Sequence, residues 1–457
     1  MANALKRLEA LGVSVPEILL PAKGVDLQAW SVVACDQYSS EREYWEGVAR
    51  RVGDKPSTLK LIFPECYLED GDKAARIRAI QRTMEEYLES DLLVSQGQCL
   101  VLVERTTPYE ATPRLGIVLA LDLEKYAYGS GSKSLVRPTE GTIVERLPPR
   151  MEIRRSAPLE LPHIMVLIDD PRRRAIEPIY EKRAYLPKLY DFELQGGAGR
   201  LRGWKVDGEA HLSALADALE SLADPFAFKA AYGSEEILLF AVGDGNHSLA
   251  TAKAIWEEIK SANRGQDDLA ALMESHPARY ALVELLNVYD EGLPFHPIHR
   301  ILLNVDEAEV LAAFEAAGAS ISRQPRAASA FAACDAAAEP GSGWPGHTAA
   351  YLGPSGCGLL TFPEPGSPLA AGSFQAVLDA FLSTHPASSI DYIHGSGSLE
   401  ALSMKRGSMG LYLPPVDKGS FFRTVIEKGV MPRKTFSMGE APEKRFYLEA
   451  RRIRPRE

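Results

Sequence analysis

Residues 235–260 read EEILLFAVGDGNHSLATAKAIWEEIK, the most informative stretch of the chain. Residues 237–242 (ILLFAV) are a short, unbroken apolar run, the composition of a strand buried on both faces. Asp244-Gly245-Asn246 is a turn signal. From Ser248, residues Leu249, Ala252, Trp256 and Ile259 recur at helical spacing, and the pattern fades near Asn263–Gly265. The stretch therefore reads as strand, tight polar turn, helix.

Similar signals lie on either side. Segments 98–104, 115–122 and 162–168 read as strands, as does 29–35 (AWSVVAC). Segment 40–51 reads as a helix capped by Ser39 or Ser40, and 73–93 as a long amphipathic helix. Segments 188–194 and 201–206 flank QGGAGR as a β-hairpin, followed by a helix pattern at 209–223. Strands follow at 279–288 and 295–302. Residues 303–350 are Ala-rich and read as a small helix-containing insert or variable subdomain. Helices at 373–384 and 397–405 precede a basic tail. The class is α+β with mixed sheets. The expected partition is an N-terminal mixed part (1–190), a core carrying the strand–turn–helix (191–302) and a C-terminal part with the Ala-rich insert (303–457).

Composition narrows the function. The 457 residues hold 51 basic and 62 acidic side chains, a net charge of −11. That weighs against broad binding of nucleic acid or anionic membrane, which needs a positive surface. No run of about 18 apolar residues is present, so no membrane span is expected. The first 21 residues lack the apolar core of a secretory signal. Five scattered cysteines with no CxxC indicate neither a zinc ribbon nor a disulfide framework, and a reducing cytoplasm is the expected compartment. The oligomeric state is not legible.

The densest chemistry lies at Gly243-Asp244-Gly245-Asn246-His247-Ser248. The glycines let backbone approach a ligand. The unpaired N–H groups of the following helix favour an anion such as a phosphate. Asn246, His247 and Ser248 add polar side chains, and Asp244 offers a carboxylate for a proton or a metal. A locally capped turn with Ser248 as N-cap is the plainer alternative. The stretch is not a Walker loop, since GxxxxGK[ST] is absent.

Other candidates lie further off. Arg137-Pro138-Thr139-Glu140-Gly141-Thr142 sets a carboxylate between two hydroxyls, suited to general-base work or simply to a turn leading into a strand at 143–146. Asp36 follows an apolar segment, at the rim of a site or in a solvated loop. His296 and His299 are three apart, so on a strand they face opposite ways and do not share a metal; Arg300 beside them suits a phosphate. His394 precedes a glycine turn. Arg433 and Lys434 with Thr435 suit a phosphate or form a solvated basic loop.

Six segments in order resemble one family. PEILLPAKGVDLQAWSVVACDQYSSEREYW, LVRPTEGTIVERLPPR with LELPHIMVLIDDP, VGDGNHSLATAKA, HPIHR, DYIHG and MPRKTF are similar to domain-of-unknown-function family 1015, over nearly the whole chain. In its turn motif that family resembles the ParB/sulfiredoxin-like superfamily, which includes a free serine kinase. The resemblance implies a ParB/sulfiredoxin-like core with helical additions, and a D-G-H-H-R-like turn holding nucleotide phosphates. Asp244, Gly245 and His247 match that turn; Asn246 replaces its first His and Ser248 its Arg. Arg433 or Lys434 would then supply the missing cation. By the same resemblance Asp244 is the base that activates a substrate hydroxyl. Glu140 is the suggested helper, although no motif aligns it.

Three functions are expected on this basis. One is phosphotransfer to a small hydroxyl compound such as serine, with Mg²⁺ and a nucleotide or other phosphate donor. In that reading Gly243, Gly245, Asn246, Ser248, Arg300, Arg433 and Lys434 hold phosphate, and Asp36, Thr139, His299 and His394 face the substrate. The second is hydrolysis of a phosphate ester or nucleotide at the same site. The third is a non-enzymatic nucleotide-binding, ParB-like module, against which the negative charge and the lack of a basic recognition helix argue.

Overall fold

The computed structural model describes residues 2–129, 131–264, 269–339, 341–344, 346–432 and 434–455. The chain forms two compact units, Met1–Leu293 with Gly439–Glu457, and Pro294–Met438. The architecture is α+β, as the sequence patterns imply.

The first unit is built on a mixed sheet. In chain order its strands are β1 (Val13–Ser14), β2 (Leu100–Thr106), β3 (Arg114–Asp122), β4 (Val136–Pro138), β5 (Met165–Ile168), β6 (Lys188–Glu193), β7 (Arg200–Val206), β8 (Phe240–Asp244) and β9 (Tyr280–Asn287). Across the sheet the order is β4-β8-β5-β9-β3-β2-β7-β6, with β1 on β3. The pairs β4–β8 and β5–β9 are parallel and the rest antiparallel. Both faces are covered, which explains the unbroken apolar runs. Leu100, Leu102, Ile117 and Leu119 point into one core, and Val101, Val103 and Val118 into the other.

The helix of the strand–turn–helix is α3 (Asn246–Ala262); α1 (Leu147–Arg155) packs against it, and α2 (Glu209–Leu222) shares its core. Leu212, Leu215 and Leu219 of α2 and Leu249 and Trp256 of α3 close the first core. The second core gathers Trp30, Trp45 and Met84 with Phe446 and Leu448 from the far end of the chain.

That far end is the main departure from the sequence reading. Residues 445–453, expected in a basic tail, run through the interior. Tyr447 N–H donates to Val32 O at 2.8 Å, and Leu19 and Ala450 exchange backbone bonds at 2.8 and 2.9 Å. Arg451–Arg452 pairs with Leu159–Glu160. The charges are matched inside. Arg445, on the same segment, pairs with Glu284 and Glu449, and Arg451 reaches Glu160. Gly116 leaves the space that Glu284 fills, since a Cβ there would lie 2.5 Å from its Oε1.

Other expectations shift locally. Segment 29–35 is not a strand. Asp26 caps a short helix, Leu27–Trp30, by accepting from the Gln28 and Ala29 N–H groups, and Val33 then bridges to Phe446. The helix expected at 40–51 begins at Arg42 behind Glu41, without a serine cap. The strand expected at 143–146 is a 3₁₀ turn, Val144–Arg146, leading into α1, whose first turn contains proline. Position 190 falls within the β6–β7 hairpin and position 302 within the strand His299–Leu303.

The second unit carries a six-stranded antiparallel sheet in the order Ser320–Gln324, Gly356–Phe362, His347–Gly353, Ser408–Tyr412, His299–Leu303, Ser389–Ile393. The Ala-rich stretch is integral to it, supplying helices Glu307–Ala316 and Ala327–Ala338 as well as the edge strand. All five cysteines are free. Among the described residues no helix is long and apolar enough to cross a membrane.

Candidate functional site

The strand–turn–helix stands as the sequence implies, with two refinements. The pairing of β8 with β5 shifts register between Val242 and Asp244, so Gly243 is an extra residue in the strand. Such a bulge re-aims the next side chain, here Asp244. Gly245 then takes φ 79°, and a Cβ there would sit 3.0 Å from the Ile164 Cα. Only glycine fits that turn without strain. Helix α3 consequently begins at Asn246 rather than Ser248, and its N-cap, Gly245, provides no side-chain acceptor.

The first helical amide bonded back is that of Leu249, to Gly245 O at 3.0 Å. The N–H groups of Asn246, His247 and Ser248 therefore carry the positive end of the helix without an acceptor among the described residues. Asn246 braces the turn: its Oδ1 accepts from Thr139 N–H at 3.3 Å, and the Thr139 hydroxyl donates to Val242 O at 2.6 Å. Thr139 is fully buried, so it is a brace and not a surface for substrate. Glu140 follows it, half-buried.

Side chains from distant segments converge on this turn. Lys444 Nζ lies 3.0 Å from Asp244 Oδ2, while Gly245 N–H donates to Asp244 Oδ1 at 2.9 Å. Burial pushes the Asp244 carboxyl up, but Lys444, His163 and the Gly245 amide outweigh it and hold the group below its usual value. Asp244 is thus an ionised, paired carboxylate. His163 Nε2 lies 2.8 Å from Ser248 Oγ and 3.9 Å from Asp36 Oδ2, and its Nδ1 lies 2.8 Å from the Tyr447 hydroxyl. Ser248 is therefore not the helix cap; its hydroxyl is held by a histidine. His247 Nε2 accepts weakly from Ile143 N–H at 3.4 Å. Burial, then the charges of Arg150 and Arg146, push its pKa down, so its imidazole is neutral near pH 7.

Beside Ser248 and His163 opens a cleft. Arg150 and Glu65 form an ion pair on its wall, with Arg150 Nε 2.9 Å from Glu65 Oε1. Burial pushes Glu65 up despite Arg150. Cys35 also lines the cleft, but burial pushes its thiol pKa up first of all, so it is a poor nucleophile.

Asp36, Asp244, His163 and Ser248 are therefore gathered, with Thr139, Asn246 and His247 as their supports. Arg300, His299, His394 and Lys434 lie in the second unit. Arg300 is fully buried and engages Gln375 Oε1 and the carbonyls of Ile298 and Lys434, which fixes it as an internal tie. His299 is buried, accepts from Leu413 N–H at 3.2 Å and stacks on Tyr412. His394 and Lys434 are exposed, and Arg433 lies outside the described residues.

A family model described as a protein of unknown function, DUF1015, matches residues 19–377. The chain belongs to that family. The DUF1015 match takes in every residue gathered at the turn except Lys444 and Tyr447, which come after it. No curated protein matches the chain. Among solved structures, a free serine kinase mutant in complex with AMP is similar over 74% of this chain and 91% of its own, at 10% identity and TM-score 0.36. The same mutant in complex with ADP covers 74% and 92%, at 10% identity and TM-score 0.36. A conserved hypothetical protein from Pyrococcus furiosus covers 74% and 95%, at 12% identity and TM-score 0.33.

Sequence reasoning passes over His163, Lys444 and Tyr447. His163 stands alone in its segment, and Lys444 and Tyr447 lie in what reads as a basic tail. The signal that could reveal the last two is the apolar run Phe446-Tyr447-Leu448, set between charged residues inside that tail.

Proposed function

We propose that this chain transfers a phosphoryl group from a nucleotide or another phosphate donor to the hydroxyl of a small compound. The observation that supports it most is the set of three acceptor-free amides at Asn246, His247 and Ser248, with Lys444 beside them and two carboxylates nearby. Amides and ammonium suit the phosphate oxygens. The Lys444–Asp244 pair fixes the cation at the turn. Asp36 and the His163–Ser248 pair are the proton acceptors within reach of a hydroxyl placed there, since Asp244 is already engaged by two donors. Glu140 takes a secondary part, on the loop that carries Thr139.

Among the described residues no group of three His, Cys, Asp or Glu side chains forms a metal cage. That donor set suits Mg²⁺ arriving with the phosphates, since Mg²⁺ commonly binds through one or two carboxylates plus phosphate and water. Asp244 would hold it, leaving Asp36 to the proton, and its charge would neutralise phosphate oxygens.

The experiment is a ³¹P NMR assay with nucleotide and pyrophosphate donors against a panel of hydroxyl compounds that includes serine. A new phosphomonoester signal, lost in Asp36→Asn and Lys444→Met, is expected. Donors that stay intact, or release only inorganic phosphate, would overturn the reading in favour of binding alone or of hydrolysis.

A further inference from the structure

The cleft beside Ser248 has a chemistry that the turn does not explain. Its walls are apolar: Leu61, Phe63, Met84 and Leu282 are buried, and Leu68 and Ile153 are half-buried. His163, Ser248 and Tyr447 are polar members of the same lining. Its charges are spoken for. Arg150 is held by Glu65, and Arg154 by Glu160, which Arg451 also contacts. Glu160 is kept below the usual carboxylate range: burial raises it, but Arg451 and Arg154 outweigh that.

These walls discriminate between two kinds of ligand. A zwitterion such as serine brings an ammonium and a carboxylate, each of which would shed water without finding an unpaired partner there. An apolar body loses water at a gain of about 25 cal/mol per Å² buried. Clefts with mostly apolar walls and a few converging polar groups are the usual form of small-molecule sites.

We infer that this cleft seats the acceptor of the phosphoryl group, and that the acceptor is a neutral alcohol with an aliphatic or aromatic body, its hydroxyl pointing to Ser248 and His163. The inference rests on the phosphotransfer reading and names the substrate class for that site. Thr251, one helical turn beyond His247 and bonded to its carbonyl at 2.7 Å, lines the same wall, so the cleft follows α3 away from the phosphate corner. Donor and acceptor thus approach the first turn of α3 by separate routes.

The test is binding, read apart from turnover. 3-Phenyl-1-propanol and serine are each titrated into the full chain by saturation-transfer NMR, and ADP is titrated separately by calorimetry. The aromatic alcohol should bind saturably and at least tenfold more tightly than serine. Ile153→Glu should weaken it at least tenfold and leave ADP affinity within twofold. Leu68→Glu, at a second half-buried wall position, serves should the first variant fold poorly. Equal affinity for serine and the alcohol, or alcohol binding unchanged in both variants, would overturn the inference. Loss of ADP binding in the unmodified chain would instead count against the phosphotransfer reading and leave the cleft result standing.

Discussion

Two segments of the first unit build the same corner by opposite means. The turn at residues 243–248 is made by local rules: a bulged strand, a glycine at positive φ and a helix with bare amides. The segment at 443–451 is made by distant partners. Its Lys444 meets Asp244, its Arg445 meets Glu284, its Tyr447 meets His163, and its Arg451 meets Glu160. The turn supplies dipoles that need no neighbour to exist. The C-terminal segment supplies charge and orientation, and both vanish if its buried ion pairs fail. A local motif thus sets the bare amides of the turn, while nonlocal packing sets the charges around them.

The contrast between the two segments fails most visibly when Arg445 is removed. Arg445→Met leaves Glu284 and Glu449 buried without their ion-pair partner, a loss of about 3–5 kcal/mol. The melting temperature of the first unit should fall steeply, and nucleotide affinity should fall with it as Lys444 and Tyr447 lose their anchor. Replacing Arg445, Glu284 and Glu449 together by apolar residues should recover most of the stability. A single variant that melts like the parent would mean that the segment is held by its backbone pairing alone.

The matching change in the turn is Gly245→Ala. Positive φ and the close Ile164 backbone should cost about 1–3 kcal/mol. The expected result is weaker phosphate binding with the C-terminal segment still in place, as judged by protection of the Tyr447 amide in hydrogen exchange. Loss of that protection would show the two segments to be one cooperative element.

Tyr447→Phe removes one hydroxyl, which accepts from Cys35 N–H and pairs with His163 Nδ1. A cost of about 1 kcal/mol is expected in denaturant melts. The more telling readout is turnover, which should fall severalfold as His163 loses its orienting partner; unchanged turnover would remove His163 from proton transfer.

The gentlest probe is acid. Burial and neighbouring arginines depress His247, so the fold favours its neutral form; that stabilisation is present above the unfolded value of about 6.5 and fades as pH falls below it. Asp244, Glu160 and Glu284 are depressed because Lys444, Arg451 with Arg154, and Arg445 with Arg114 outweigh the cost of burial. Their contribution is present above about pH 4 and is lost as pH falls through the lower folded values. Melting temperature should therefore decline shallowly below about pH 6.5 and steeply below about pH 4. A profile unchanged down to pH 3 would contradict the depressed carboxylates.

Legibility in the sequence follows the same divide. Residues 237–262 are readable because strand, turn and helix each arise from spacing within a few residues, and even there the helix starts at Asn246 rather than Ser248 through the backbone of Gly245. The apolar runs at 100–106 and 114–122 are readable because both faces of the sheet are covered. Lys444, Arg445 and Arg451 are not, because local composition describes them as solvated and only Asp244, Glu284 and Glu160, far along the chain, reveal them as buried. Arg300 misleads in the opposite direction: an arginine beside two histidines looks suited to phosphate, yet Gln375 and two carbonyls hold it inside the second unit.

The functional reading stands or falls with phosphate on the first turn of α3, charged by Lys444. A crystal structure of the chain with a non-hydrolysable ATP analogue and Mg²⁺ would locate that phosphate. Its oxygens are expected about 3 Å from the amides of Asn246, His247 and Ser248, with Lys444 Nζ alongside. A nucleotide bound elsewhere, with these amides facing only water, would refute the assignment.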